Sequence, residues 1–315
     1  MPATAELALS VVVPVFNEHE VIRITMDRLR QVLERLDITY EVVVVDDGSI
    51  DNSVAILTGL RQEWPQLRLI RLRRNSGHQA ALLAGLLRAG GAYVVSIDAD
   101  LQDPPELIER MLNVAHAEGV DVVYAVRARR ASDTLWKRWT ADLYYRLMGH
   151  LAASPVPRHV GDYRMLSRRT IELIRQLPER APVLRLIIPW LGLPNAVVEY
   201  ERQPRAAGRT KYSVAKMTLL ALDSVTAFSA APLRLATWLG VGGIGLCAVL
   251  ALIAFGAYLS DITVPGWTSL YVAVLFLAAV QLLCLGLMGE YVGRTFTVLL
   301  GRPAYLIESD SDDEN

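Results

Sequence analysis

The chain has 315 residues and a formal net charge of −1, so no excess of positive charge points to a nucleic-acid partner. Hydrophobic residues make up 52% of the chain and the mean hydropathy is positive, which is more apolar than a soluble protein of this size needs. This length suits one large domain or two smaller ones.

The first 126 residues alternate between short apolar runs and longer amphipathic segments. The pattern predicts strands at 9–15, 41–45, 67–72, 93–97 and 120–126, and helices at 17–36, 51–62, 78–89 and 104–118. This alternation with short links predicts an α/β fold in which a mostly parallel sheet is covered on both faces. Ligands bind such sheets at the carboxyl ends of the strands, where the strand order reverses.

Two acidic segments directly follow two of these strands. Asp46-Asp47-Gly48-Ser49 comes after the second strand, and Asp98-Ala99-Asp100 comes after the fourth. Carboxylates that extend past the edge of a parallel sheet are typical of sites that hold divalent cations and phosphates. A surface turn that caps a helix is the alternative for either segment alone, but the two together favour a site for a metal-bound nucleotide.

Beyond residue 126 the chain contains two amphipathic stretches, at 133–151 and 213–230. The second leads directly into a long apolar segment, which favours a helix that lies in the membrane surface. For the first stretch, a core-facing helix and a membrane-surface helix remain equal alternatives.

Two uncharged runs, at 235–260 and 262–289, predict a helical hairpin that crosses the membrane twice. Each run exceeds the roughly 20 residues needed to cross the hydrocarbon layer; a pair of buried core helices is the alternative. The loop around Asp261 carries no Lys or Arg, whereas Arg234 precedes the hairpin and Arg294 follows it. The positive-inside rule therefore predicts a multi-pass protein of the inner (cytoplasmic) membrane, with both termini in the cytoplasm.

The predicted organisation has four parts. They are a cytoplasmic domain at 1–212 with an amphipathic helix at about 133–150, an interfacial helix at 213–231, the hairpin at 232–292 and a cytoplasmic end at 293–315. The acidic ending, from Glu308 to Asn315, is interpreted as a solvated tail. Cys247 and Cys284 both lie in the predicted spans, so neither a disulfide nor a thiolate metal site is expected.

Five segments, in chain order, resemble the family 2 glycosyltransferases. They are Val13-Pro14-Val15-Phe16-Asn17-Glu18, Asp46-Asp47-Gly48-Ser49, Asp98-Ala99-Asp100-Leu101-Gln102-Asp103-Pro104-Pro105, Gly161-Asp162-Tyr163-Arg164 and Ala207-Gly208-Arg209-Thr210-Lys211-Tyr212. With the two predicted spans, they resemble the polyisoprenyl-phosphate glycosyltransferases, which include dolichol-phosphate mannose synthases and bactoprenol glucosyltransferases. The resemblance extends from about Ser10 to Arg302 and is nearest to the bacterial bactoprenol glucosyltransferase-like group. It implies a Rossmann-like, nucleotide-sugar-binding domain of GT-A type.

The resemblance also implies roles for residues at matching positions. Contacts with the donor nucleotide are implied for Pro14, Val15, Asn17, Glu18, Asp46, Asp47, Asp98 and Ala99. Asp100 and Gln102 resemble ligands of a Mg²⁺ or Mn²⁺ ion shared with the donor diphosphate, and a hard cation prefers such oxygen donors. Helix capping remains the alternative for Asn17 and Glu18, and a plain surface position for Gln102. His78 is either a helix cap or a donor contact.

The acceptor implied by the resemblance is a polyprenyl phosphate. Its second pKa is about 6, so near neutral pH its oxygen can attack the anomeric carbon without a strong general base. Cationic side chains must bring this anion beside the donor diphosphate, and the resemblance favours Arg127, Arg138, Arg205 and Lys211. Asp162 stands where other members carry an acceptor-activating carboxylate; orienting the sugar or the acceptor, or holding an arginine in place, are the alternatives.

The order of Asp46, Asp100 and Asp162 implies direct displacement with inversion at the anomeric carbon. The main interpretation is a membrane enzyme, implied to be a homotetramer, that moves one glucose from UDP-glucose to undecaprenyl phosphate for cell-envelope glycan modification. GDP-mannose and a UDP-aminosugar are the alternative donors, because the loop at 178–185 departs from the family pattern. A processive synthase is disfavoured, since Arg138-Trp139 lacks the Gln-x-x-Arg-Trp context, and a non-catalytic membrane scaffold is the remote alternative.

Overall fold

The computed structural model describes residues 7–127, 160–179, 183–200 and 266–313, together with a few single positions between 238 and 252. The chain divides into two compact units. The first holds Met1–Thr210 and Arg302–Asn315, and the second holds Lys211–Gly301.

The described part of the first unit is an α/β arrangement of strands and helices. Its strands are β1 (Leu9–Val15), β2 (Tyr40–Asp46), β3 (Leu67–Leu72), β4 (Tyr93–Ser96), β5 (Val122–Arg127), β6 (Val160–Ser167), β7 (Asn195–Tyr200) and β8 (Ile307–Asp310). Its helices are α1 (Ile22–Leu33), α2 (Ser53–Glu63), α3 (His78–Arg88), α4 (Leu107–Glu118), α5 (Arg168–Gln176) and α6 (Leu184–Trp190). In the second unit, α7 spans Trp267–Leu299.

The strands form one sheet in the order β7-β5-β6-β4-β1-β2-β3-β8. β1 is parallel to both β2 and β4, β2 is parallel to β3, and β5 is parallel to β7. The β4–β6, β5–β6 and β3–β8 pairs are antiparallel. From β1 the chain first adds β2 and β3 on one side and then places β4 on the other. This reversal opens a crevice at the carboxyl ends of β1, β2 and β4, where ligands bind in such sheets.

Hydrophobic residues cover both faces of the sheet. Val11 and Val13 of β1 pack in a cluster with α1, α2 and α4, whereas Val12 packs in a second cluster with α3, α5 and α6. Every residue of β1 is buried, which explains why a continuous apolar run marks this strand in the sequence. The predicted α/β fold with a mostly parallel sheet is therefore confirmed.

The prediction that Asn17-Glu18 opens the first helix is wrong, because α1 begins at Ile22. Asn17 has a φ of +54°, in the left-handed region. Its N–H donates to Ser49 Oγ at 2.9 Å, and its Oδ1 accepts from the N–H of Ile50 at 2.9 Å. Asn17 thus connects the end of β1 to the turn after β2, and α1 begins further along the chain, beyond this connection.

The prediction of a solvated acidic tail is wrong for residues 308–311, because β8 pairs with the edge strand β3. Arg68 donates to both carboxylate oxygens of Asp310, at 2.8 and 2.6 Å, and Arg88 donates to the same carboxylate at 3.1 Å. Ser311 Oγ accepts from the N–H of Leu69 at 3.0 Å. Burial alone would raise the pKa of Asp310, but its arginine partners outweigh burial and lower it. The acidic ending is therefore held by charge pairing against two arginines.

Among the described residues, one helix is long and apolar enough to cross a bilayer. This is α7, whose 33 residues give a length of about 50 Å at 1.5 Å per residue. Its apolar window is Phe276–Gly293, in which no residue is buried. The second predicted span, at 262–289, overlaps α7. Most of the first span, and both amphipathic stretches at 133–151 and 213–230, lie outside the described residues.

Candidate functional site

Three polar segments of the sequence meet at the carboxyl edge of the sheet. Val15, the last residue of β1, lies opposite Asp46, the last residue of β2, and β4 runs parallel on the other side of β1. The segments at 14–18, 46–49 and 98–102 therefore begin at neighbouring strand ends. Pro14 and Val15 are buried in β1, so they position the segment that follows.

The turn after β2 is fixed by hydrogen bonds to its two carboxylates. Asp46 is fully buried and accepts from the N–H of Ser49 at 3.2 Å. Asp47 accepts from the N–H groups of Ser76 and Gly77 at 2.7 and 2.9 Å. Burial raises the pKa of Asp47, although these hydrogen bonds act in the opposite direction. Asp47 therefore joins the turn to the loop that precedes α3.

Gly48 is required where this turn meets that loop. Its φ is +71°, and a Cβ added there would lie 2.8 Å from both the carbonyl carbon of Arg74 and the amide nitrogen of Asn75. Both neighbours are backbone atoms, which cannot rotate away. The approach of the two segments therefore depends on glycine at this position.

The segment after β4 forms a tight loop. Thr25 of α1 donates to the carbonyl of Ala99 at 2.7 Å, and Asp100 Oδ1 accepts from the N–H of Gln102 at 3.1 Å. Leu101, between them, has a φ of +58°. Burial raises the pKa of Asp98 to about 6. The side chain of Asp98 is 33% exposed, and Asp100 is likewise partly exposed.

Asp100 and Gln102 fit a hard cation through their carboxylate and amide oxygens. In residues 7–127 and the other described segments, no group of three or more His, Cys, Asp or Glu side chains is arranged to hold a metal. A Mg²⁺ or Mn²⁺ ion at this loop would therefore need further oxygen ligands, which a diphosphate and water can supply.

Four side chains of alternating charge extend from this loop across the sheet edge, and we call Asp98, His78, Asp162 and Arg185 the charge row. His78 Nε2 lies 3.6 Å from Asp98 Oδ1 and 3.5 Å from Asp162 Oδ2. Arg185 Nη2 lies 3.2 Å from the same Asp162 oxygen. Burial lowers the pKa of His78, but the hydrogen bond to Asp162 and the two carboxylate charges outweigh burial and raise it.

Asp162 accepts hydrogen bonds at both carboxylate oxygens. Oδ1 accepts from Arg164 Nη2 at 2.6 Å, and Oδ2 accepts from Gln79 Nε2 and Arg185 Nη2, both at 3.2 Å. Burial acts to raise the pKa of Asp162, but His78 and the two arginines hold it far below its usual range. The structure therefore places an ionised, well-partnered carboxylate at the start of β6.

The basic residues assigned from the resemblance are mostly outside the described part of the chain. Arg127 is the last residue of β5, whereas Arg138, Arg205 and Lys211 lie outside the described residues. The roles of all four stay predictions. Sequence reasoning assigned no role to Gln79 or Arg185, which lie far from Asp162 in the chain. The only signal for Gln79 is that it adjoins His78 at a helix start.

Comparison with known proteins places these segments in one family. The family described as Glycosyl transferase family 2 matches residues 10–174. The uncharacterized glycosyltransferase YkcC of Bacillus subtilis is 40% identical over 308 residues, covering 97% of this chain and 95% of its own length. A bactoprenol glucosyl transferase of Shigella phage SfX is 39% identical over 309 residues, covering 96% and 99%. Mannosyl-3-phosphoglycerate synthase from Rubrobacter xylanophilus shares the fold, with a TM-score of 0.50 and 18% identity, over 70% of this chain and 72% of its own.

Proposed function

This chain belongs to glycosyl transferase family 2 and is a glycosyltransferase, and on that basis we propose that it transfers one glucose from UDP-glucose to undecaprenyl phosphate. The observation that carries the proposal is the convergence of the segments at 14–18, 46–49 and 98–102 on one edge of the sheet. Relatives named bactoprenol glucosyl transferases, which match almost the whole chain, support the acceptor and the sugar.

The donor binds, in this proposal, across the carboxyl ends of β1, β2 and β4. The nucleoside binds at the turn that Asn17 and the buried carboxylate of Asp46 hold in place. Asp98 lies against the donor, and the diphosphate reaches Asp100 and Gln102. These two residues would hold a Mg²⁺ or Mn²⁺ ion, which would supply positive charge beside the departing diphosphate.

The chemical step is a single displacement at the anomeric carbon. An oxygen of the acceptor phosphate forms the new bond to that carbon as the bond to the donor diphosphate breaks, so the configuration inverts. The acceptor is anionic near neutral pH, so no proton has to be removed from the nucleophile. The protein must instead reduce the repulsion between two phosphates, and we assign this role to Arg127, Arg138, Arg205 and Lys211.

A membrane location is part of the proposal, and the lipid acceptor and the apolar segments support it. We propose a two-helix hairpin at 232–292, with α7 as its second helix and both chain ends in the cytoplasm. The apolar, unburied window of α7 supports this topology, as does the distribution of Lys and Arg around the hairpin. We further propose that the amphipathic stretch at 213–231, whose sequence leads directly into the hairpin, lies in the membrane surface.

A donor screen tests the proposal. Purified full-length protein in nanodiscs receives undecaprenyl phosphate and one labelled donor at a time: UDP-glucose, GDP-mannose or UDP-N-acetylglucosamine. We expect label in the lipid fraction only with UDP-glucose, with loss of the signal in EDTA and recovery on adding excess Mg²⁺ or Mn²⁺. Label from another donor would contradict the sugar assignment. Transfer to an oligosaccharide but not to the lipid phosphate would contradict the acceptor.

A further inference from the structure

We propose that Arg185 binds a phosphate group of the reacting substrates, and that Asp162 is the residue that positions it and is not a proton acceptor. The inference rests on the proposed function, because that function brings a donor diphosphate and an acceptor phosphate to this edge of the sheet. The contacts of Arg185 are given by the structure. The other cations proposed for this site, Arg127, Arg138, Arg205 and Lys211, were assigned from the family resemblance alone.

Asp162 is arranged as an anchor. Its Oδ1 is 2.6 Å from a guanidinium nitrogen of Arg164, a side chain that is 1% exposed. Its Oδ2 accepts from both Gln79 and Arg185 and lies 3.5 Å from His78 Nε2. A carboxylate that must take up a proton needs an oxygen directed at the proton donor, whereas here each oxygen already faces cationic or amide N–H groups. These contacts stabilise the ionised form and orient the groups around it.

Arg185 has the exposure that a substrate contact needs. Its side chain is 49% exposed, and that of Asp162 is 10% exposed. A guanidinium carries five N–H donors in a planar fork, and one is donated to Asp162 at 3.2 Å. The remaining face of the fork matches a phosphate in bidentate geometry. Because the anchor holds the guanidinium in place, less side-chain entropy is lost when phosphate binds.

The charge row connects Arg185 to the segment assigned to the donor. Asp98 Oδ1 and Asp162 Oδ2 both lie close to His78 Nε2, at 3.6 and 3.5 Å. Arg185 is therefore separated from Asp98 by two side chains along the row, those of His78 and Asp162. This position is suited to a phosphate that approaches the donor, either the leaving diphosphate or the acceptor phosphate.

The experiment uses full-length protein and two phosphate probes measured separately by calorimetry, UDP with Mn²⁺ and farnesyl phosphate. The variants are Arg185→Gln, Arg185→Lys, Asp162→Asn and the double variant Arg185→Gln/Asp162→Asn. Arg175→Gln is the matched control, because Arg175 on α5 is also 49% exposed and also pairs with a carboxylate, that of Glu172 at 3.2 Å. Turnover with UDP-glucose and undecaprenyl phosphate is measured for each variant.

We expect Arg185→Gln to weaken one probe by about ten- to a hundred-fold, the value of a hydrogen bond to a charged group. Loss of UDP affinity assigns the leaving diphosphate, and loss of farnesyl phosphate affinity assigns the acceptor. Asp162→Asn should weaken the same probe, Arg185→Lys should recover part of the affinity, and the double variant should be no weaker than the weaker single variant. The control should match the wild type.

Unchanged affinity of Arg185→Gln for both probes would overturn the proposal. A double variant whose turnover falls by the product of the two single losses would overturn the positioning role, since Asp162 would then act independently of Arg185. Should Asp162→Asn fail to fold, Arg185→Gln and Arg185→Lys still decide the phosphate contact. Failure of the proposed function is distinct, because it leaves the wild type without turnover while both binding measurements can still be made.

Discussion

Replacing Gly48 by alanine tests the close approach between the turn after β2 and the loop before α3. A positive φ costs a residue with a Cβ about 1–2 kcal/mol, and the φ here is +71°. The added Cβ would also lie 2.8 Å from two backbone atoms, and overpacking of this kind costs about 1–3 kcal/mol. The expected destabilisation is therefore about 2–5 kcal/mol, or about 4–20 °C in thermal midpoint for a domain of this size.

The assay combines thermal unfolding of the purified protein with calorimetric titration of UDP. Gly59→Ala is the matched control, because Gly59 lies inside α2 with no atom within 4 Å of an added Cβ. That variant should be unchanged or more stable by up to about 1 kcal/mol. For Gly48→Ala we expect weaker UDP binding as well, since the turn also carries Asp46 and Asp47. A Gly48→Ala protein that unfolds and binds UDP like the wild type would show that this turn does not need glycine.

Two further substitutions test the carboxyl-terminal strand and the acidic loop. Asp310→Ala should destabilise the protein by about 2 kcal/mol, because Arg68 and Arg88 lose the buried carboxylate to which both donate and keep only the exposed carboxylates of Asp312 and Asp313, each at 3.1 Å. Glu308→Ala, which removes an exposed group 3.8 Å from Arg71, should change stability by less than about 0.5 kcal/mol. Folding lowers the pKa of Asp310. Its contribution to stability is therefore present above the ordinary aspartate pKa of about 3.9 and is lost as the pH falls through the folded-state pKa. The difference in thermal midpoint between wild type and Asp310→Ala should shrink on acidification, and a difference that stays constant would contradict the pairing. Asp100→Asn, which keeps an acceptor for the N–H of Gln102, should reduce turnover by about a hundred-fold or more at an unchanged thermal midpoint, and full turnover at saturating metal would contradict the ligand assignment.

The parallel core of the sheet could be predicted because its strands are buried on both faces. A strand such as β1, covered by helices on each side, needs apolar residues at nearly every position, and the run from Val11 to Val15 is visible in the sequence. The carboxyl ends of such strands then fix where the acidic turns must lie. This part of the site followed from local sequence alone.

The boundaries and the late elements depend on contacts between residues far apart in the chain. The start of α1 is delayed because Asn17 binds the turn at residues 49–50. β8 forms because Asp310 meets Arg68 and Arg88, more than 200 residues earlier. By composition alone, Glu308–Asn315 has the charge of a solvated segment. The pairing of Asp310 with Arg68 instead places this segment in the sheet. The local sequence gives no indication of a partner so far away in the chain.

The charge row was hidden from sequence reasoning for the same reason. Asp162 could be proposed as a site residue, but its partners His78 and Arg185 come from α3 and α6. β6 brings Asp162 to them by pairing antiparallel with β4. Neither the direction of β6 nor the position of α6 is encoded in the motif around Asp162, so the sequence alone left base and anchor as open alternatives.

A crystal structure of the full-length protein with UDP-glucose and Mn²⁺ is the decisive test of the proposed donor site. We predict nucleotide density across the carboxyl ends of β1, β2 and β4, with anomalous signal from Mn²⁺ between the diphosphate and Asp100. Nucleotide bound elsewhere on the protein, or Mn²⁺ bound to the diphosphate with Asp100 out of contact, would contradict it.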